Sequence, residues 1–218
     1  MEPILRSITN KDWITGILFA SLLIMVIAKS FSYSRFSNFM ILPFNNKYIF
    51  MYNKKDRLLN WFHVFFTLFL ILNFSLFIYL AMGVLFKDTS EAAPYLYPII
   101  LGLVVLFIFL KVVLQLGNGF VFNTSKMVSE FIFKKLSYLN YSGILFFLAN
   151  IILTYIAEDS KPTIYLTISL ILSINGIGWI TVIRNHQKFI TSNFFYFILY
   201  LCALEIAPIV IIGSYLKD

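Results

Sequence analysis

Charge, cysteine and histidine are all scarce in this chain. Of 218 residues, 12% are charged, two are histidine and one, Cys202, is cysteine. Soluble domains carry about 25% charged residues, so a soluble globular fold is excluded. A single cysteine cannot make an internal disulfide, a thiolate metal cluster or an iron–sulfur site. Two histidines, with no HExxH pattern and no CxxC pair, fall short of the three or four ligands of a zinc site. His63 lies near the start of the second long apolar run while His186 sits in a hydrophilic hinge, which argues against a haem held between them. Neither a phosphate-binding GxxxxGK[ST] nor a GxSxG elbow occurs. Gly176 and Gly178, inside an apolar run, read with Gly143 and Ala149 as close-packing residues between helices. No cofactor or metal site is expected.

What the chain has in abundance is apolar length. It is 60% hydrophobic and 19% aromatic, with a mean hydropathy of +0.86. Six stretches are long and apolar enough to span a bilayer: 13–29, 60–86, 94–116, 139–157, 162–183 and 191–214. Their breadth points to helices, because barrel strands need segments of about ten residues with alternating polarity. The first stretch follows Arg6 and Lys11, as a secretory signal would. It lacks a small-x-small cleavage site and closes on Lys29, so it reads as a retained helix. The expected fold is an all-α integral membrane protein, a bundle of about six transmembrane helices forming one domain.

Lysine and arginine fall unevenly across the polar segments. Arg6, Lys11, Lys87, Lys161 and Lys217 lie on one side of this topology. Ten lie on the other: Arg35, Lys47, Lys54, Lys55, Arg57, Lys126, Lys134, Lys135, Arg184 and Lys188. The side richer in cations faces the cytoplasm, which puts both termini in the periplasm. The pI of about 9.4 is then a topology signal, and a nucleic-acid partner is not expected.

Two cytoplasmic segments look interfacial, 34–52 and 125–139. Phe36, Phe39 and Met40 have the spacing of a short helix that stops before Pro43. Asn45-Asn46, between two apolar runs, offers a hairpin turn. In the second segment Met127, Val128, Phe131, Ile132, Leu136 and Leu139 form one helical stripe. Lys126, Lys134 and Lys135 stand beside it, able to reach anionic headgroups. The expectation is a helix lying in the membrane interface, an anchor on lipid or a docking surface for a partner.

Polar residues inside the spans are few. Glu205 in the sixth span, Asn73 in the second and Asn150 in the fourth lie about 16–20 Å from their cytoplasmic ends at ~1.5 Å per residue. A carboxylate at that depth is costly, so Glu205 should be protonated or partnered. It can serve as interhelical glue, as a proton- or cation-linked site, or as a contact with another subunit. Pro208, one turn on, should kink that helix. Lys111, with Gln115 one turn beyond it, is expected to snorkel toward the surface.

The segment FYFILYLCALEIAP, which runs from Phe195 to Pro208, resembles the signature of an uncharacterised family of small multi-span inner-membrane proteins of Bacteroidota. Asp12-Trp13 near the start, Asn46-Lys47-Tyr48 and Lys135-Leu136-Ser137-Tyr138 are similar to its pattern too. That resemblance implies an inner-membrane location and no established enzymatic activity, and it supplies no catalytic residues. On lineage alone it makes the type 9 secretion and gliding apparatus a candidate host complex. The functional expectation is a non-enzymatic subunit or assembly factor of a larger inner-membrane complex, with membrane lipids and other membrane subunits as partners. A small proton- or cation-coupled transporter built on Glu205 is the alternative.

Overall fold

The structure is a computed structural model. It describes residues 12–45, 47–52, 60–85, 95–121, 125–158 and 160–185. Among these every regular element is helical: α1 Asp12–Phe31, α2 Tyr33–Met40, α3 Lys47–Tyr52, α4 Trp61–Leu85, α5 Leu96–Val121, α6 Ser125–Ile151 and α7 Lys161–Asn185. A single π turn, Ile152–Ile156, prolongs α6 and closes with the Ala157 N–H donating to the Ile152 carbonyl at 2.8 Å. Among the described residues, five helices are long and apolar enough to cross a membrane: α1, α4, α5, α6 and α7. The expected sixth span, 191–214, lies outside the described residues, and Glu205 and Pro208 lie there with it.

Local chemistry sets the helix ends. Asp12 sits in the first turn of α1 and Lys29 in its last, each matched to the helix dipole. The Asn45 side-chain oxygen accepts from the Lys47 N–H at 3.0 Å and so starts α3. Asn60 does the same for Phe62 at the head of α4, at 3.3 Å. Ser160 takes the Thr163 N–H at 3.4 Å at the head of α7, where Pro162 falls in the first turn, the helical position proline tolerates.

Helix α4 is the hub and packs on α1, α5 and α6, while α7 packs mainly on α6. Aromatic rings gather at both ends of this bundle. At one end Trp13 meets Tyr79 at 5.1 Å and Tyr97 at 5.6 Å between ring centroids. At the other, Phe39 contacts Tyr48, Phe62 and Phe66, and Phe133 stacks on Tyr48. Rings at the two ends of a spanning bundle suit the bilayer interfaces, where one edge is apolar and the other wet.

Two expectations about the polar segments are corrected. No hairpin forms around Asn45, because its side chain caps α3. The 34–52 segment is instead two short helices joined by a turn at Ile41–Asn45, and Phe39, Leu42, Tyr48 and Ile49 are fully buried against α4. Nor is 125–139 a separate in-plane helix. It is the first half of α6, which runs unbroken for 27 residues, about 40 Å at ~1.5 Å per residue. The side-chain pairs that join α4 to α6 set Ser125 roughly 15 Å beyond Trp61 by the same rise. The lysine-bearing turns of α6 thus continue the axis of a span instead of folding across it.

Candidate functional site

Several polar side chains within the described spans link one helix to the next. Asn150 on α6 donates through Nδ2 to the backbone carbonyl of Asn73 on α4 at 2.9 Å. Asn73 turns its own Nδ2 back to the Phe69 carbonyl at 2.8 Å. Both amides are fully buried, and the Oδ1 of each has no hydrogen-bond partner. Further along the same pair of helices, Thr67 and Asn140 bond side chain to side chain, the Asn140 Nδ2 donating at 3.1 Å. Helix α7 joins α6 through Asn175, whose Nδ2 donates to the Ser142 hydroxyl at 2.9 Å. In α1, Thr15 and Tyr155 of the π turn pair at 2.6 Å. Asn73 and Asn150, placed at a common depth by their sequence positions, therefore meet in space. The depth of Glu205 lies outside the described residues.

Close approach of the backbones makes these links possible. A Cβ on Gly143 would come within 3.2 Å of the Leu70 Cα, so α4 and α6 nearly touch there. On Gly178 it would lie 2.7 Å from the Tyr138 ring. Ala149 is buried as expected of a packing residue. Gly176 is a correction: its Cβ would meet open space, because it sits on the part of α7 turned away from α6.

The lysines are also placed differently from expectation. Lys134 is only 4% exposed, and Glu130 stands one turn before it on α6. Lys135 lays its Nζ over the Trp179 ring, 4.9 Å from the centroid. Lys111 reaches back over Phe107 at 5.7 Å, away from the nearer end of α5. Side chains on a helix lean toward its N-terminus, and the neighbouring rings accept both cations by cation–π contact. Leu136 lines a cavity between α4, α5, α6 and α7 beside Lys135, and Phe131 is half-buried. No sequence signal brings Lys111 and Lys135 together, since they belong to different helices at unrelated positions.

His63, buried at the head of α4, shares a hydrogen bond of 3.2 Å with the Tyr48 hydroxyl and packs edge-on against Phe133. It is a structural histidine that ties α3 to α4 and α6. Among the described residues no three histidines, cysteines or carboxylates come close enough to hold a metal ion.

Comparison with known families assigns the whole bundle at once. Residues 14–216 match the domain of unknown function DUF4271, and the chain belongs to that family. Comparison with curated proteins and with solved structures found no match in either.

Proposed function

We propose that this chain is a non-enzymatic subunit or assembly factor of a larger inner-membrane complex, crossing the bilayer six times with both termini in the periplasm. One observation carries the reading: Asn150, Asn140, Asn175 and Thr15 use their side chains to join one described span to another, while a long apolar face of α5 is left outside. Ile99, Leu103, Leu106, Leu110 and Val113 form that stripe, each exposed. Their i, i+3, i+4 spacing gives one continuous face to offer lipid or a neighbouring helix. The Bacteroidota inner membrane, with the type 9 secretion and gliding apparatus as host, is the most specific form of the proposal. Purification of the tagged native protein in mild detergent, with mass spectrometry of what accompanies it, tests it. Reproducible membrane-protein partners at stoichiometric amounts support the reading, and recovery of a lone 25.4 kDa species overturns it.

A second reading has one specific observation in its favour. The unpartnered Oδ1 atoms of Asn73 and Asn150 are buried acceptors, suited to a protonated carboxyl or a cation. A small transporter using Glu205 would exploit them. Ion flux by the purified protein in liposomes, abolished by Glu205→Gln, would establish that reading in place of the first.

A further inference from the structure

Two cavities of about 220 Å³ and 350 Å³ adjoin on one side of the bundle. They share Phe74, Phe146 and Ile171 and so form a single cleft. Helices α4 and α6 make its floor, α7 one wall and α5 the other along its first half, and the two walls barely touch each other. The larger cavity is lined by apolar side chains throughout, among them Phe77, Ala81, Ile168 and Leu172. The cleft is also long. Counted from the Thr67–Asn140 pair that joins α4 to α6, it reaches eight residues back to Ile132 and eighteen on to Leu85. That is about 39 Å at ~1.5 Å per residue, enough to cross the hydrocarbon core of a bilayer.

The chain itself supplies an occupant of matching length. Residues 186–218 follow α7 outside the described residues, and 191–214 is an apolar stretch of 24 residues, about 36 Å long as a helix. Five residues, 186–190, separate it from the end of α7, a reach of about 17 Å at ~3.4 Å per residue. Connections that short make antiparallel neighbours. Helices in lipid associate by close packing, and a cleft offers an incoming helix more surface than the convex outer face of α7. The two walls, α5 and α7, are the least buried of the five described spans. Ala203 and Ala207, four residues apart, give the stretch a small face for close approach. We propose that 191–214 docks across this cleft, antiparallel to α7, with its apolar side chains filling the two cavities. The inference rests on the six-span reading and is independent of the scaffold role.

Cys202 is the only cysteine in the chain, so one added cysteine and a short bis-maleimide report its neighbours in native membranes. It lies eleven residues into the stretch, and Leu172 lies thirteen before the end of α7, so the two would stand at similar depth. Leu172 lines the cleft. Leu170, about 3 Å away along the axis, is on the opposite side of α7. Both are exposed, so cysteine at either leaves the packing intact. Leu172→Cys is expected to join Cys202 of the same chain several-fold more than Leu170→Cys does. Ile108→Cys, on the α5 wall, should join it too, and Cys202→Ser should abolish every product. Joining of Leu170→Cys in preference to Leu172→Cys overturns the proposal and puts the stretch on the outer face of α7. Linkage between two chains overturns it in favour of a second copy in the cleft. The absence of product from both Leu172→Cys and Ile108→Cys overturns it in favour of lipid. A reporter after Asp218 tests the span itself, so a periplasmic signal beside a failed cross-link defeats the docking alone.

Discussion

A Cβ at Gly178 would lie 2.7 Å from the Tyr138 ring, whereas one at Gly176, half a turn away, would touch nothing. Gly178→Ala should therefore force α6 and α7 apart, at a cost of about 1–3 kcal/mol typical of overpacking. Gly176→Ala should be neutral or slightly stabilising, since alanine is the better helix former. Thermal unfolding of both variants in detergent checks the contrast, and equal losses would contradict the packing described. The two buried asparagines differ in a similar way. Asn150→Leu removes the donor that reaches the Asn73 carbonyl and should cost about 0.6–2 kcal/mol. Asn73→Leu removes a bond within its own helix and an unpartnered Oδ1, so its loss should be the smaller. Both residues were legible in the sequence as rare amides in apolar runs. The inward turn of Lys111 and Lys135 was not, because it depends on Trp179 and Phe107 standing where the ammonium groups end.

At the scale of elements, α1, α4 and α7 begin and end within two residues of the apolar runs that encode them. Helix α6 does not. Lys134 and Lys135 look like a surface segment when read along the chain, yet Lys134 is buried and Lys135 lies over Trp179 of α7. The α2–α3 pair was half legible: the Phe36, Phe39, Met40 spacing gave the first helix, but the asparagines after it suit a turn and a helix cap equally. Packing decides between these, and it makes a test. Phe39→Ala should destabilise the protein by about 3–5 kcal/mol, as for a large core ring, because Phe39 is fully buried among four aromatic neighbours. Phe44, 89% exposed in the next turn, should tolerate alanine with little change. Equal unfolding temperatures for the two variants would mean that this segment lies on lipid rather than under the bundle.

At the scale of the molecule, the account joins a six-span topology to a scaffold role. Reporter fusions after Asp88, Glu158 and Asp218 should be active only with a periplasmic reporter, and cytoplasmic-type activity at any of them would overturn the helix number or the orientation. The central claim is narrower: polar groups inside the spans hold helices together and do not carry protons or ions. Glu205 is the one acid in the six apolar stretches of the sequence and the sharpest test of that claim, because glutamine keeps its hydrogen-bonding shape and removes its titratable proton. The decisive measurement is the amount of folded chain recovered in the native membrane assembly, and its function in the cell, for Glu205→Gln beside Glu205→Leu. The account predicts that the Gln variant assembles and functions as the unaltered protein does, while the Leu variant loses abundance or partners. A Gln variant that folds and assembles normally, yet is as inactive as Leu, would contradict it.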